Sequence, residues 1–147
     1  MRDPVRRLLS CYANRVVYYG ELSEAAAGPT LRAAGLRTNP GLSEFIHRLA
    51  DYSRAVPSIA HHSAPQTSFL GTDVGYYDAV FPMERISEFA KAVAETIGQP
   101  IKIPRLQNYG PKFDAAALPE VDLTALRRHY ATDFEIWGQQ CRAGAAA

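Results

Sequence analysis

Residues 2–16 read RDPVRRLLSCYANRV, and they combine a helix start with a continuous apolar face. Asp3 is a favoured N-cap residue, and Pro4 suits the first position of a helix. The apolar side chains then follow at helical spacing, namely Val5, Leu8, Leu9, Tyr12 and Val16. The sequence therefore predicts a helix over residues 4–19 that ends at Gly20.

Arg2 and Ser10 lie on the polar side of this predicted helix. Arg2 precedes the N-cap, where free backbone N–H groups and a partial positive charge favour phosphate. With about 100° between successive residues, Ser10 falls on the same side as Asp3 and Arg6, away from the apolar stripe. The Ser10 hydroxyl is then free to contact a ligand along that face. The alternative is a solvated helix face with an Arg-rich first turn.

The bulk composition is that of an ordinary globular domain, or of part of one. The chain has 147 residues, of which 47% are apolar and 21% charged, so a buried core is expected. The net charge of +1 gives no general attraction to nucleic acid or to an anionic membrane. Any anion-binding site must therefore be local.

Cysteine usage and hydropathy give no sign of export or of a membrane span. Cys11 and Cys141 lack the spacing of a zinc site, so we expect two free thiols and no metal. No apolar run approaches the roughly 20 residues that cross a bilayer. Arg2, Asp3 and Arg6 interrupt any signal-peptide pattern, so we expect a cytoplasmic protein unless an N-terminal address is missing.

From the rest of the sequence we predict an α/β fold that is mostly helical and has two or three short strands. Three further amphipathic helices are predicted, over residues 42–52, 85–97 and 123–139. Asp122 or Thr124 is expected to cap the last of them. Two short strands are predicted, over residues 76–82 and 101–103. The remaining segments are predicted to be irregular, over residues 21–40, 61–65 and 106–119, the first with space for a short helix.

A second polar stretch reads HHSAPQTSFLG over residues 61–71. His61 and His62 titrate near neutral pH and are candidate bases or hydrogen-bond donors; the alternative is a structural role between loops. A zinc site is disfavoured, because adjacent histidines rarely bind one ion and no cysteine is nearby in sequence. Gln66 is predicted to brace a loop rather than to contact a ligand.

A third polar stretch reads LQNYGPKF over residues 106–113. Gly110 permits a close approach of the backbone, and Lys112 supplies a cation. The alternative is a surface loop with scattered charges.

Residues 2–16 resemble the 3'-phosphate-binding segment of sulfotransferases that use 3'-phosphoadenosine 5'-phosphosulfate (PAPS). In that family an Arg ends a strand, Asp-Pro or Asn-Pro follows, and a Ser comes eight residues after the Arg. Both residues hold the 3'-phosphate. The carbohydrate-type, family 2-like pattern R-D-P-x-x-R-x-x-S-x-Y is matched at every fixed position, with Arg7 as its second Arg. The resemblance implies that Arg2 and Ser10 bind the cofactor.

The other two stretches resemble the same family in the expected order. The family pattern H-x-x-P-Q-x-x-F/Y-L, then Y/F-D-x-V and a Glu, is matched by His62, Pro65, Gln66, Phe69, Leu70, Tyr77, Asp78, Val80 and Glu84. The stretch PRLQNYGPK is similar to a family loop that adds cations near the 3'-phosphate, which implicates Arg105 and Lys112. The final LRRHYATDFEIW resembles the closing helix, with Leu126, Tyr130, Phe134 and Trp137 on its packing face.

The resemblance implies one partial sulfotransferase domain over residues 1–147, the C-terminal part of a P-loop-like fold. Its 3'-phosphate-binding helix is expected at residues 3–19 and its closing helix at residues 123–139. The implied reaction moves a sulfuryl group from PAPS to a hydroxyl or amine, with a carbohydrate as the acceptor and no metal. His61 and His62 are the candidates for a catalytic role.

The family's glycine-rich loop for the 5'-phosphosulfate, with its Lys, does not occur in these 147 residues. We therefore expect the N-terminal half of the domain to be a missing partner and this chain alone to be inactive. Two other interpretations stay open, a fragment of a P-loop kinase-like protein and a non-enzymatic helical interaction module.

Overall fold

The computed structural model describes residues 1–104 and 109–142, with the backbone alone for Arg142. Helices account for 66% of the described residues, and no strand occurs among them, so the predicted α/β class is wrong. The segments 76–82 and 101–103 form no strand, because a strand needs a neighbour that accepts its backbone hydrogen bonds. Met1 donates to Phe81 O and accepts from Met83 N, both at 2.5 Å, but this parallel pairing extends no further.

Nine α-helices follow one another along the described chain. They are α1 (Pro4–Cys11), α2 (Glu24–Ala33), α3 (Leu42–His47), α4 (Leu49–Ala55), α5 (Pro57–Ser63), α6 (Thr67–Leu70), α7 (Ile86–Ile97), α8 (Glu120–His129) and α9 (Ala131–Arg142). A π-helical segment, Tyr12–Tyr18, directly continues α1. Three 3₁₀ turns lie at Val74–Tyr76, Met83–Arg85 and Ala115–Ala117.

The first helix begins as predicted and continues in a different form. The Asp3 side chain caps α1 by accepting a hydrogen bond from Arg6 N at 3.0 Å. Helical backbone extends to Tyr18, close to the predicted end, although its second half is π-helical. Helix α7 also agrees with prediction and ends at Gly98, which adopts φ +71°.

Four other predictions of local structure are wrong in their details. The predicted helix 42–52 is divided at Arg48 into α3 and α4, and the predicted helix 123–139 is divided at Tyr130 into α8 and α9. Helix α8 begins at Glu120, so neither Asp122 nor Thr124 caps it. The segment 61–65 is largely helical, because α5 begins at Pro57 and runs to Ser63.

One hydrophobic core joins the helices. Its fully buried side chains come from the first helix, the middle helices and the closing helices, and they include Leu8, Leu22, Leu31, Phe45, Leu49, Tyr52, Ile59, Leu126 and Tyr130. The predicted packing face of the closing helices is confirmed, since Trp137 is also fully buried and Phe134 packs against the core. Helix α7 has no fully buried residue: Ile86, Ala90 and Val93 on its apolar face are half-buried, and Phe89 and Ile97 are exposed.

Candidate functional site

A cleft of about 530 Å³ lies between the first helix and the loop at residues 109–115. Arg2, Ser10 and Lys112, which were predicted to bind the cofactor, all line it. They come from the chain start, the helix and a loop about 100 residues later in the sequence. The fourth predicted residue, Arg105, lies outside the described residues.

The helical wall of the cleft presents one polar side chain per turn. Arg6, Ser10 and Asn14 are four residues apart and all line the cleft. Residues four apart in a helix share one face, so the spacing of these three residues explains why they lie along the same wall. Arg6 and Asn14 were not predicted as site residues, although the four-residue spacing from Ser10 was visible in the sequence.

Gly110 sets the distance between the loop and the helix. It adopts φ +92°, and a Cβ at this position would lie 2.4 Å from the carbonyl oxygen of Ala13. Only glycine lets the two backbones come this close. On one side of Gly110, the ring of Tyr109 stacks on Tyr18 with centroids 5.1 Å apart and an interplanar angle of 12°. On the other side, Phe113 meets Tyr12 edge to face at 5.3 Å, so contacts on both sides fix the loop that carries Lys112.

Gln66 fixes the main chain at the mouth of the cleft. Its side-chain oxygen accepts from Arg2 N at 3.2 Å, and its side-chain nitrogen donates to Arg2 O at 2.8 Å. The predicted bracing role of Gln66 is therefore confirmed, and the segment that it braces is the one before α1. The fully buried Asp133 accepts in turn from Gln66 N at 2.7 Å and Thr67 N at 2.8 Å.

The second Arg of the first motif does not line the cleft. The Arg7 guanidinium donates to the carbonyl oxygen of Ala64 and lies 5.7 Å from the centroid of the Phe69 ring. It therefore attaches the first helix to the connection between α5 and α6. The two arginines of the pattern have different surroundings, with Arg2 at the cleft and Arg7 against the second motif.

The structure does not bring His61 or His62 into the cleft lining. Both lie in the last turn of α5, where the His61 ring is 5.1 Å from the His62 ring and 5.5 Å from the Phe69 ring. Burial lowers the pKa of His62 below its ordinary value, and the positive charge of Arg15 acts in the same direction. The neutral imidazole of His62 is therefore favoured near pH 7.

The charges that line the cleft suit an anion. Arg6 forms an ion pair with Glu84 at 3.1 Å, whereas Arg2 and Lys112 form none within the described ranges. Asp114 also lines the cleft, and one of its oxygens accepts from Ala116 N at 2.9 Å. The cations of Arg2 and Lys112 and the hydroxyl of Ser10 are therefore groups that suit a phosphate.

Other site chemistries find little support in the described parts of the chain. They contain no group of three or more His, Cys, Asp or Glu side chains placed to hold a metal ion. Burial raises the pKa of the thiols of Cys11 and Cys141 to about 11, which favours the unreactive thiol form. None of the described helices is both long enough and apolar enough to span a bilayer.

Comparison with known proteins gives the family of the chain. No curated protein and no solved structure matches the chain significantly. A family model described as "Sulfotransferase family" matches residues 1–138, a range that contains all three motifs and every residue of the cleft. The match covers well over half of the sequence, and the chain belongs to the sulfotransferase family.

Proposed function

We propose that the cleft binds the 3'-phosphate of PAPS for a sulfotransferase whose acceptor is a hydroxyl or an amine of a carbohydrate. The observation that carries this proposal is the meeting of Arg2, Ser10 and Lys112 in one cleft. Two segments about 100 residues apart in the sequence contribute groups that favour a phosphate. The match to the sulfotransferase family supports the reaction class.

The three groups offer different and compatible contacts to a phosphate. An Arg guanidinium presents a planar fork to two phosphate oxygens, a Ser hydroxyl donates one hydrogen bond, and a Lys ammonium acts as a point charge. Arg2 also lies directly before the N-terminus of α1, where free N–H groups and the helix dipole favour an anion. The Gln66 contacts hold the Arg2 backbone in place before any ligand arrives.

In the proposed reaction, PAPS supplies the sulfuryl group that is transferred in line to the acceptor. Charge then develops on the leaving phosphate, so transfer needs donors placed at that position and a base at the acceptor. The residues of this cleft bind and orient the nucleotide end, which contributes to the rate by positioning. The 147 residues contain no glycine-rich phosphate loop, so we assign them nucleotide binding rather than the transfer step.

The carbohydrate acceptor follows from the form of the first motif. The pattern R-D-P-x-x-R-x-x-S-x-Y is typical of the carbohydrate-type members, and residues 2–12 match it at every fixed position. The proposed partner of the chain is a segment that carries the missing phosphate loop.

Titration calorimetry with two nucleotides tests the proposal. Arg2→Ala should weaken binding of adenosine 3',5'-bisphosphate by about 10- to 150-fold, because a charge-assisted hydrogen bond contributes about 1.5–3 kcal/mol. Binding of 5'-AMP, which lacks the 3'-phosphate, should change little. Arg128→Ala is the matched control, since Arg128 is exposed and does not line the cleft. Equal loss for both nucleotides, or no preference in the unmodified chain, contradicts the proposal.

A transfer assay tests the assignment of roles. We expect no turnover when the purified chain is incubated with labelled PAPS and a panel of sugar, lipid and peptide acceptors. Addition of a segment that carries the glycine-rich loop should restore turnover, with sugars as the preferred acceptors. Turnover by the 147 residues alone would show that the transfer groups lie within them.

A further inference from the structure

Arg6 lies in the wall of the cleft between the two residues of the first motif that are assigned to the phosphate. It follows Arg2 by four residues and precedes Ser10 by four residues, and all three line the cleft. Ser10 is about one helical turn, or 6 Å along the axis, from Arg6 and shares its face of the helix. A phosphate that contacts both Arg2 and Ser10 therefore lies alongside Arg6, close enough for its long side chain.

The guanidinium of Arg6 is held by a single exposed ion pair. Its Nη1 lies 3.1 Å from Oε1 of Glu84, and no other nitrogen of this guanidinium has a hydrogen-bond partner in the described part of the chain. The side chains of Arg6 and Glu84 are 57% and 38% exposed. Exposed ion pairs contribute little to stability because water competes for both charges. A bound anion can therefore take the place of Glu84 at low cost.

The other arginines of the first helix have different surroundings. Arg7 donates to the carbonyl oxygen of Ala64, and Arg15 forms an ion pair with Glu21 in which both side chains are largely buried. Neither Arg7 nor Arg15 lines the cleft. Of the arginines within this helix, Arg6 is the one that combines a place in the cleft with a partner that is easily exchanged.

We infer that Arg6 exchanges Glu84 for the 3'-phosphate when the nucleotide binds. A phosphate carries more charge than a carboxylate, and the guanidinium fork can bind two of its oxygens at once. Glu84 then competes with the ligand for Arg6, so it lowers the affinity of the free chain for the nucleotide. This inference rests on the proposed function, and it makes Arg6 a third cationic residue of the phosphate site.

Calorimetry with adenosine 3',5'-bisphosphate tests the exchange, because the two partners of the ion pair should have opposite effects. Arg6→Ala should weaken binding by about 10-fold or more, as expected for the loss of a charge-assisted hydrogen bond. Glu84→Gln should strengthen binding by about 1.5- to 5-fold, the factor that corresponds to an exposed ion pair. Binding of 5'-AMP should change little in either variant. A purely structural ion pair would make both changes act in the same direction.

A double variant separates exchange at Arg6 from a general effect of charge. In the Arg6→Ala background, Glu84→Gln should have no further effect on affinity, since no guanidinium remains to be released. Glu88→Gln is the matched control. Glu88, four residues after Glu84, forms an exposed ion pair with Arg85, and neither of these two residues lines the cleft. Glu88→Gln should leave the affinity unchanged.

The outcomes distinguish the inference from the proposed function. If the unmodified chain does not prefer adenosine 3',5'-bisphosphate to 5'-AMP, the proposed function fails. If it does, but Arg6→Ala retains the full affinity or Glu84→Gln fails to strengthen binding, the exchange alone is overturned. Equal weakening of both nucleotides by Arg6→Ala, or strengthening by Glu84→Gln that persists in the Arg6→Ala background, also overturns it.

Discussion

Gln66 holds Arg2 by both polar atoms of the Arg2 main chain, accepting from its N–H at 3.2 Å and donating to its carbonyl oxygen at 2.8 Å. The two residues are 64 positions apart in the sequence. The second motif therefore positions the first one, and the Arg2 side chain extends from a backbone that is already fixed. This arrangement explains why the buried Gln66 amide lies beside the cleft although it is not part of the cleft lining.

Gln66→Ala should destabilise the chain and weaken nucleotide binding together. The change removes both hydrogen bonds, which leaves Arg2 N without a partner among the described residues and Arg2 O with the weak thiol donor of Cys141 at 3.5 Å, and it costs about 1–3 kcal/mol. Urea denaturation measures the first effect and calorimetry with adenosine 3',5'-bisphosphate the second. Gln66→Glu keeps the acceptor for Arg2 N, so its stability and its affinity should lie between those of the unmodified chain and those of Gln66→Ala. Full affinity in Gln66→Ala would show that the Arg2 backbone needs no such support.

Asp133→Asn should lower the free energy of unfolding by about 1.5–3 kcal/mol. Each carboxylate oxygen of Asp133 accepts one backbone N–H, from Gln66 and from Thr67. An Asn side chain offers one oxygen and places an N–H donor against the other backbone donor. Glu135→Gln, a charge removal elsewhere in α9, is the control for a general effect of charge in urea denaturation. Equal stability of the two variants would contradict a special role for Asp133.

Gly110→Ala should reduce both stability and nucleotide affinity, whereas Gly35→Ala should reduce stability alone. Both Gly110 and Gly35 adopt positive φ, at +92° and +64°, so alanine is strained at either position by about 1–2 kcal/mol. Only at Gly110 does the added Cβ also collide with a backbone oxygen, that of Ala13, whereas nothing lies within 4 Å at Gly35. We expect Gly110→Ala to move the loop and reduce nucleotide affinity, and Gly35→Ala to reduce stability alone. Calorimetry and urea denaturation of both variants measure the difference.

The stability of the chain should decrease in mild acid because of His62 and His129, since burial lowers the pKa of both imidazoles. The contribution of His62 can be tested with a single variant. Burial lowers the pKa of His62 below 6.5, and the charge of Arg15 lowers it further. As pH falls below about 6.5, the unfolded chain takes up the proton first, so the free energy of unfolding decreases until folded His62 is protonated as well.

Urea denaturation between about pH 7.5 and 5.5 checks this dependence. His62→Gln should make it less steep and leave the contribution of His129, whereas His61→Gln, a change at an exposed neighbour, should preserve it. An unchanged pH dependence in His62→Gln would assign the effect to another group.

The parts of the fold that the sequence predicts well are those set by local chemistry. Helix α1 is predicted because its cap, its first-turn proline and its apolar stripe lie within a few residues of one another. The breaks at Arg48 and Tyr130 are not predicted, since the apolar spacing continues across both. The predicted strands do not form, because the aromatic and β-branched residues over 76–82 and the alternation over 101–103 report local preference and cannot supply a neighbouring strand.

The site shows the same division between local and distant information. Arg2 and Ser10 follow from one motif, and Lys112 from another, so their meeting in one cleft is a finding of the structure. Asp133 carries no signal in the sequence, because its partners are backbone N–H groups 66 and 67 residues away.

The π-helical segment Tyr12–Tyr18 gives the helical wall of the cleft a position at which its length can change. In a π-helix each N–H bonds five residues back, as Tyr19 N does to Asn14 O at 2.9 Å, so the segment contains one residue more per turn of bonding than an α-helix. Removal of one residue from positions 15–17 allows a return to α-helical bonding and rotates the residues C-terminal to the deletion. We expect such a deletion to leave Arg2 and Ser10 in place and to turn Tyr18 away from Tyr109. A change of length in this segment should therefore alter the rim of the cleft without moving the two residues at its N-terminal end.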